Sequence, residues 1–384
     1  MNFKGELASK LPKVETNIFT KMSALSAQHQ AINLAQGFPE FDSGAELFNL
    51  VNEQMKSGYN QYAPMAGVLP LREAIAEKVA YTYGANYDPE SEITVSAGAT
   101  EAIFAAITAV VREGDEVIVF TPAYDCYEPA VELAGGKTIS IPLNFPDYSI
   151  DWEGVRKVLS RKTRLIILNT PHNPTGAIIS QADVDELHRI TNNTDIMVLS
   201  DEVYEHIVFD GQQHHSIAAH RELANRSFVI ASFGKTFHNT GWKLGYCLAP
   251  ENLMTEFRKV HQFVVFAVNT PMQMAMAQFI SNRNRFEALS GFYQEKRDYF
   301  SKLLSGSKWE ILPCRGTYFQ LLGYKNITDM PDVEFAEELV MKHKIGSIPV
   351  SVFYHIPTDH QVLRFCFAKS EETLQKAAEI LHTF

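Results

Sequence analysis

The stretch Glu92–Val111, EITVSAGATEAIFAAITAVV, places a short β-rich segment directly before an apolar helical one, with Gly98 at the junction. The same alternation continues to about residue 250. The strand-like runs that follow are EVIVFTPAY (116–124), RLIILNTP (164–171), IMVLSDEVY (196–204), SFVIASFG (227–234) and KLGYCLAP (243–250). Apolar runs of this length, separated by helices, predict an α/β fold with a mainly parallel sheet that has helices on both faces.

The pattern changes in the last hundred or so residues. A long amphipathic helix is predicted near 284–304, and short strands and two further helices follow it. These segments predict a smaller α+β domain. The first 35 residues fit neither pattern, and we interpret them as an arm with a strand that returns to the small domain. The predicted domains are 1–35 for the N-terminal arm and part of the small domain, 36–283 for the large domain, and 284–384 for the small C-terminal domain.

Composition and charge exclude several classes of function. The chain of 384 residues has a formal net charge of −11 and no block of basic residues, which argues against nucleic acid as a partner. The four cysteines form no C-x-x-C motif, so we expect neither disulfides nor a metal site. His214 and His215 are expected to lie in an exposed loop. Because the chain lacks a signal segment and any run long enough to span a membrane, we predict a cytoplasmic protein with no membrane partner.

Polar or aromatic residues follow five of the predicted strands, and in open α/β sheets ligands bind beyond the carboxyl ends of the strands. Lys235 follows the apolar run SFVIASF, and Lys243 lies eight residues further on, across a turn that contains glycine. An amine in a partly apolar pocket near another cation has a lowered pKa and forms Schiff bases. The two lysines together predict a ligand that carries both an aldehyde and a phosphate.

Four motifs in a fixed order resemble those of a known family. SFGKTFHNTGWKLGY (232–246) resembles the cofactor-lysine segment of the pyridoxal-phosphate aminotransferases of classes I and II. NPTG (173–176) and DEVY (201–204) precede it and Arg364 in LRFCF follows it, in the order of that family. The resemblance begins at QGFP (36–39) and covers nearly the whole chain. Within the family, the chain is most similar to the branch of kynurenine, glutamine–phenylpyruvate and methionine aminotransferases.

The resemblance implies an aspartate-aminotransferase-like fold whose large domain binds pyridoxal 5′-phosphate. Lys235 would form the Schiff base with this cofactor and move the proton at the substrate α-carbon, and Asp201 would keep the pyridine nitrogen protonated. Tyr204 and Asn173 would hydrogen-bond the cofactor's 3′-oxygen, and Tyr124 would stack on its ring. The alternatives are a helix N-cap for Asp201, an Asx-turn for Asn173 and a core position for Tyr124.

The cofactor's phosphate is expected at the start of a helix. Gly98, Ala99 and Thr100 begin a helix directly after a strand, where free backbone N–H groups and the helix dipole suit a dianion. Ser232 and Lys243 would complete this phosphate cup. Many family members have arginine in place of Lys243, a difference that alters the geometry of the contact and keeps its charge.

Three further positions resemble family contacts. Arg364 lies in an apolar strand, and its fork matches the α-carboxylate of an amino acid, although an internal salt bridge would also account for it. Gly37 resembles the backbone contact to the same carboxylate, and Asn173 would contact the substrate as well. Tyr62 resembles the tyrosine that reaches the phosphate from a second subunit, which implies a homodimer with shared active sites.

We therefore predict an aminotransferase that moves the amino group of an L-amino acid to a 2-oxo acid. A cysteine-conjugate C–S β-lyase on the same fold and a non-catalytic aminotransferase-like sensor module are the alternatives. Apart from Arg364 the site segments contain no arginine for a distal carboxylate, and their bulky residues predict methionine and aromatic substrates over aspartate. These residues are Ile18, Phe19, Phe38, Tyr62, Tyr124, Phe353 and Tyr354.

Overall fold

The structure, a computed structural model, describes residues 4–384, so the first three residues of the predicted arm lie outside it. Its α-helices are α1 (Ile18–Gln28), α2 (Ala45–Lys56), α3 (Leu69–Tyr83), α4 (Ala99–Val110), α5 (Tyr127–Leu133), α6 (Trp152–Val158), α7 (Gln181–Thr191), α8 (Arg221–Ala224), α9 (Phe233–Thr236), α10 (Glu251–Val264), α11 (Thr270–Phe279), α12 (Asn284–Glu287), α13 (Leu289–Leu303), α14 (Asp332–His343) and α15 (Glu371–Leu381). None of the helices between residues 4 and 384 has the length and apolar composition that a membrane span requires.

The strands fall into a large sheet in the first two thirds of the chain and shorter pairings around the C-terminal part. They are β1 (Ile32–Asn33), β2 (Ile93–Ser96), β3 (Glu116–Thr121), β4 (Lys137–Pro142), β5 (Thr163–Asn169), β6 (Met197–Asp201), β7 (Ser227–Ser232), β8 (Gly245–Leu248), β9 (Glu310–Ile311), β10 (Phe319–Gly323), β11 (Ile345–Gly346), β12 (Ile348–Pro349) and β13 (Val362–Cys366).

The large sheet has seven strands in the order β2-β8-β7-β6-β5-β3-β4. Strands β3 to β7 pair in parallel, whereas β8 runs antiparallel to both of its neighbours, β2 and β7. The predicted α/β fold with a mainly parallel sheet is confirmed. Because β8 is reversed, the residues that precede it lie at the same edge of the sheet as the residues that follow the parallel strands.

Helices cover both faces of this sheet, as its continuous apolar strands require. Along β5, Leu165 and Ile167 pack into one hydrophobic core with residues of α4 and α10, while Ile166 and Leu168 belong to a second, larger core. The alternation follows from the two-residue period of a strand. Alternate side chains of the central strands therefore pack on opposite faces of the sheet. The polar groups lie at the strand ends.

A four-stranded antiparallel sheet, β12-β13-β10-β9, forms the smaller layer. Its strand β13 places Arg364 opposite Leu321 of β10 and Ile348 of β12. The short β1 pairs in parallel with β11, with Ile32 opposite Ile345, so the N-terminal segment returns to the C-terminal region. The predicted α+β character of this part is confirmed, and the boundaries at residues 36 and 284 stay a prediction.

Local sequence signals explain where several helices begin and end. Gly98 precedes α4 with a φ of +80°, a conformation that favours glycine, and the alanine-rich sequence after it favours a helix. Ser180 and Asp183 form a capping box at the start of α7. Gly84 ends α3 in the left-handed conformation.

His214 is placed differently from the prediction. Its side chain is 6% exposed, and its Nε2 lies 2.9 Å from a carboxylate oxygen of Glu202, which is 1% exposed. A buried carboxylate needs a polar partner, and His214 supplies it. The predicted exposed loop is therefore wrong for this residue.

Candidate active site

A cleft at the carboxyl edge of the seven-stranded sheet contains about 660 Å³ of empty space, including its mouth. The predicted site residues that line the cleft are Gly98, Ala99, Thr100, Tyr124, Asn173, Asp201, Tyr204, Ser232, Lys235 and Lys243. Of the other three predicted residues, Gly37 and Arg364 bond to residues of this lining, and Tyr62 lies apart from it.

The register of β8 brings the two lysine segments together. Gly245 pairs with Ser96 on one side and with Ser232 on the other, so Lys243 lies beside the ends of both neighbouring strands. A Cβ on Gly98 would lie 3.2 Å from Cε and 3.3 Å from Nζ of Lys243. Glycine at this position therefore leaves room for the lysine amine against the backbone at the start of α4.

Lys235 lies in α9, a single helical turn that directly follows β7. Its Nζ donates hydrogen bonds to the carbonyl oxygen of Gly37 at 3.0 Å and to Oη of Tyr318 at 2.9 Å. Burial is the main cause that lowers the pKa of Lys235 to about 8, and the charges of Arg364 and Lys243 act in the same direction. An amine with this pKa is partly neutral near neutral pH and is a competent nucleophile.

Asp201 is buried at the end of β6, with 4% of its surface exposed. Its Oδ2 accepts a hydrogen bond from Tyr127 Oη at 2.6 Å, and its Oδ1 accepts one from the backbone N–H of Val203 at 3.3 Å. Burial raises the pKa of Asp201 to about 6, although both hydrogen bonds lower it. A turn follows Asp201 where the N-cap alternative would need a helix, so that alternative does not apply.

The donor groups of the cleft fit pyridoxal 5′-phosphate. The first turn of α4 leaves backbone N–H groups without helical partners, and together with Lys243 it offers a site for a dianion. Lys235 offers an amine for the aldehyde, and Asp201 offers a carboxylate for the pyridine nitrogen. One cleft therefore contains a group suited to each functional group of the cofactor.

Asn173 connects the cleft to Arg364. The side-chain oxygen of Asn169 accepts from the backbone N–H of Asn173 at 2.8 Å, and its amide donates to the carbonyl oxygen of Asp201 at 2.9 Å. Asn173 is thereby held in place, and its own side-chain oxygen accepts from Nη1 of Arg364 at 2.7 Å. This contact with a distant residue replaces the Asx-turn that was the alternative for Asn173.

Arg364 is 1% exposed, and burial lowers its pKa to about 10. Its Nη2 donates to the carbonyl oxygen of Ala35 at 3.0 Å, and the ring of Phe319 lies 3.9 Å from its guanidinium carbon. Within residues 4–384, its hydrogen-bond partners are an amide and a carbonyl oxygen, and its Nε has none. An internal salt bridge therefore does not account for Arg364, whose fork retains a free donor for an anion.

A wider cleft adjoins the first one at Tyr124, and the predicted apolar residues Ile18, Phe353 and Tyr354 contribute to its lining. Phe19 packs against Phe353 with ring centres 5.7 Å apart and lies 5.0 Å from the guanidinium carbon of Arg364. Phe19 and Phe353 therefore lie near Arg364, and Ile18, Tyr124 and Tyr354 line the same wider cleft as Phe353.

Two predicted residues lie elsewhere. Phe38 is absent from the described lining of both clefts, and its ring lies 4.6 Å from the amine of Lys369. The structure thus does not place Phe38 in the pocket. Tyr62 is 82% exposed, and its ring meets Phe266 edge to face at 5.2 Å.

Sequence reasoning missed Tyr127 and Tyr318, which bond to Asp201 and Lys235. One usable signal existed for Tyr127, because it lies three residues after Tyr124 in a short helix that begins at a strand end. For Tyr318 the available signal was its position directly before β10, the strand that pairs with the strand of Arg364.

Comparisons with known proteins agree with this geometry. Residues 29–381 match the family described as "Aminotransferase class I and II". The methionine aminotransferase of Escherichia coli K12 is 51% identical over 374 residues, with 97% of each chain covered. Kynurenine–oxoglutarate transaminase 1 of Mus musculus is 32% identical over 408 residues, with 96% of this chain and 95% of its own length covered.

Solved structures give the same result. A crystal structure from Escherichia coli, whose reactivity identified a methionine aminotransferase function, superposes with a TM-score of 0.96 at 50% identity and covers 99% of this chain and 100% of its own. A mutant aspartate aminotransferase from Thermus thermophilus superposes with a TM-score of 0.90 at 26% identity, with 99% of each chain covered. The chain belongs to the class I and II aminotransferases, and it uses pyridoxal 5′-phosphate to move an amino group between amino acids and 2-oxo acids.

Proposed function

We propose that this aminotransferase acts on methionine and on large aromatic L-amino acids, with Lys235 as its catalytic lysine. The observation that carries the proposal is the Lys235 amine, which lies in one cleft with Lys243 and Asp201 and has a lowered pKa. Methionine as a substrate is supported by the name of the 51% identical relative from Escherichia coli. The relatives reported above are named for amino transfer, so we do not propose the C–S β-lyase.

When bound, pyridoxal 5′-phosphate supplies an aldehyde that takes up the amino group and a ring that accepts the electron pair released at the substrate α-carbon. Lys235 Nζ takes up the proton that leaves this carbon. With a pKa of about 8, a sizeable share of the free amine is neutral near neutral pH and acts as a general base. Lys235 therefore both binds the cofactor and moves the proton.

Asp201 keeps the pyridine nitrogen protonated. A buried carboxylate without a cation is strongly disfavoured, so a positive charge placed beside Asp201 is stabilised in return. Tyr127 orients the carboxylate through its 2.6 Å hydrogen bond. Tyr204, Asn173 and Tyr124 line the cleft. Tyr204 and Asn173 would hydrogen-bond the oxygen on the ring, and Tyr124 would hold the ring by stacking.

The phosphate is bound by the cup at the start of α4. The backbone N–H groups of Gly98, Ala99 and Thr100 would hold it together with the positive end of the helix dipole, and Ser232 would add a hydroxyl. Lys243 supplies the charge, and its contact with Gly98 supports this assignment.

The substrate α-carboxylate is bound by Arg364, whose Nε is buried without a partner in the described chain. Asn173 bonds Nη1 and so fixes the plane of the guanidinium group. The backbone of Gly37 adds a contact to the same carboxylate. Two N–H groups of one guanidinium match both oxygens of a carboxylate, which gives orientation as well as affinity.

Charge in the wider cleft supports the preference for uncharged side chains. Its lining includes the four carboxylates of Glu15, Asp125, Glu128 and Glu132 and the two lysines Lys13 and Lys21. The amine of Lys21 is already paired with Glu337. A second carboxylate on the substrate would therefore enter a region with excess negative charge, whereas a thioether or a phenyl ring would pack against Phe353 and Tyr354.

We further propose a homodimer in which Tyr62 reaches the phosphate of the partner's site. Tyr62, Phe263 and Phe266 are 82%, 85% and 57% exposed, and the rings of Tyr62 and Phe266 touch. Exposed aromatic residues in contact are typical of a protein–protein interface. We also propose a cytoplasmic location, which the four free cysteines support and which cell fractionation would test.

The assignment of Lys235 predicts the site of covalent attachment. Borohydride reduction followed by peptide mapping should place the cofactor on Lys235, and Lys235→Ala should still bind it non-covalently but lose turnover by roughly a thousandfold or more. Lys243→Ala is the matched control: it should weaken cofactor binding while the label stays on Lys235. A label on any other lysine would contradict the assignment.

The raised pKa of Asp201 predicts that this carboxylate lowers the stability of the cofactor-free protein although it is needed for turnover. The pKa of Asp201 in the folded protein is about 6, above the ordinary value of 3.8 for an aspartate, so its contribution to stability is full below pH 3.8 and is lost as the pH rises through 6. Asp201→Asn should therefore stabilise the cofactor-free protein at pH 7.5 by about 1–3 kcal/mol, measured by urea unfolding, yet lower turnover strongly.

At pH 4 this gain in stability should largely disappear, because the wild-type carboxyl group is then protonated in the folded protein. Asp210→Asn is the control, since the pKa of Asp210 is lowered by its hydrogen bonds to Arg297 and its removal should destabilise. A loss of stability in Asp201→Asn at pH 7.5 would contradict this prediction, because it would show that the ionised carboxylate does not destabilise the folded protein.

The substrate preference is tested by comparing kcat/KM for L-methionine and L-aspartate with one fixed 2-oxo acid. We expect methionine to exceed aspartate by about tenfold or more, the factor for roughly 1.4 kcal/mol of differential binding. A preference for aspartate would contradict the proposed selection for uncharged side chains.

The shared site is tested by complementation. Tyr62→Phe removes one hydrogen bond to a charged group and should weaken cofactor binding about tenfold. Mixed dimers of Tyr62→Phe with Lys235→Ala should regain wild-type affinity and activity at one site, where intact Lys235 meets an intact Tyr62 from the partner. No recovery on mixing, or a monomer in sedimentation equilibrium, would contradict the proposal.

A further inference from the structure

The free amine of Lys235 lies in a closed triangle of hydrogen bonds. Its Nζ donates to the carbonyl oxygen of Gly37 at 3.0 Å and to Oη of Tyr318 at 2.9 Å. The hydroxyl of Tyr318 in turn donates to the same carbonyl oxygen at 2.6 Å. Because Tyr318 donates its hydroxyl proton to Gly37, its oxygen accepts the hydrogen bond from Lys235 through a lone pair.

The two acceptors are held rigidly. Tyr318 is fully buried, and its ring packs edge to face against Tyr204 at 5.1 Å and at a tilt of 39° against Tyr293 at 5.6 Å. Gly37 lies close against the small sheet, since a Cβ at this position would lie only 2.7 Å from the ring of Phe319. Two acceptors that are fixed by their packing therefore determine the position of the lysine amine.

The number of acceptors matches a neutral amine. A neutral lysine amine has two N–H groups and one lone pair, whereas the ammonium form has three donors and no acceptor. Gly37 and Tyr318 satisfy both N–H groups of the neutral form and leave its lone pair free to take up a proton. Burial, which lowers the pKa of Lys235 to about 8, favours the same form.

We propose that Tyr318 is a positioning residue that, together with the carbonyl of Gly37, holds the free amine of Lys235 for proton transfer at the substrate α-carbon. This inference rests on the proposed role of Lys235 and adds a residue to it. Tyr318 acts through Lys235, so its removal should slow the proton transfer and leave binding of the substrate carboxylate by Arg364 nearly unchanged.

The matched pair of variants is Tyr318→Phe and Tyr293→Phe. Both remove one hydroxyl from a buried tyrosine of the same aromatic cluster, but the hydroxyl of Tyr293 has no partner in the described chain. Thermal unfolding of the cofactor-free proteins checks that each variant folds. Should Tyr318→Phe fail to fold, a fluorinated tyrosine at position 318 keeps the ring and the hydroxyl but makes a weaker acceptor.

The first measurement uses the cofactor-free protein and needs no substrate. At pH 10 the Lys235 amine is neutral, so its rate of modification by an amine reagent, followed by peptide mapping, reports how firmly it is held. We expect Tyr318→Phe to react about three- to tenfold faster than wild type, the factor for losing one neutral hydrogen bond. Tyr293→Phe should react at the wild-type rate, and equal rates in all three proteins would overturn the proposal.

The second measurement is the single-turnover reaction of the cofactor-loaded enzyme with L-methionine and its α-deuterated form. Tyr318→Phe should lower the rate about ten- to a hundredfold, increase the deuterium isotope effect and change the apparent KM less than threefold. A variant that behaves like Tyr293→Phe would refute the proposal. If wild type itself fails to react with methionine, the substrate proposal fails, and the modification rates still decide the role of Tyr318.

Discussion

The reversal of β8 is the constraint on which the site depends. If β8 ran parallel to its neighbours, Lys243 would lie at the opposite edge of the sheet from Lys235. Gly245 fixes the reversed strand between β2 and β7, and a Cβ there would lie 2.6 Å from the carbonyl oxygen of Ala231. The register that joins the two cationic groups therefore requires a residue without a side chain at position 245.

The site collects ionisable groups whose burial shifts each of them towards its neutral form. The pKa of Asp201 is raised, whereas those of Lys235 and Arg364 are lowered, and burial is the main cause in all three. Such a set is unfavourable for folding and is sustained by the two hydrophobic cores that cover the faces of the sheet. A cofactor and a substrate with complementary charges reduce this unfavourable electrostatic energy when they bind. The same electrostatic interactions therefore support both binding and catalysis.

Much of this could be predicted from sequence because the signals are local. Apolar runs gave the strands and so the edge where Asp201, Ser232 and Lys235 lie, and the ordered motifs gave the family, which the comparisons confirm. The partners of these residues could not be read in the same way. Tyr318 is 83 positions from Lys235 and Tyr127 is 74 from Asp201, and no periodicity links residues at such distances.

The structure differs from the sequence-based expectation where the surroundings of a residue were inferred from its neighbours in sequence. GQQHHS is a polar run, yet the side chain of His214 is buried against the buried carboxylate of Glu202. Phe38 follows Gly37 directly, but it packs beside Lys369 rather than in the pocket. In both cases a charged group from another segment decided the position, and the local pattern contains no information about that group.

The contact between Arg364 and Ala35 spans 329 positions, and β1 meets β11 across a similar interval. During synthesis the N-terminal segment emerges first and the strand of Arg364 almost last, so the substrate end of the site is assembled only when the chain is nearly finished. The large sheet, whose strands lie between residues 93 and 248, has all of its strands available much earlier. A nascent chain would therefore complete the proposed phosphate cup before the proposed carboxylate site, and cofactor captured at that stage would stabilise the partly folded protein while the remaining chain is made.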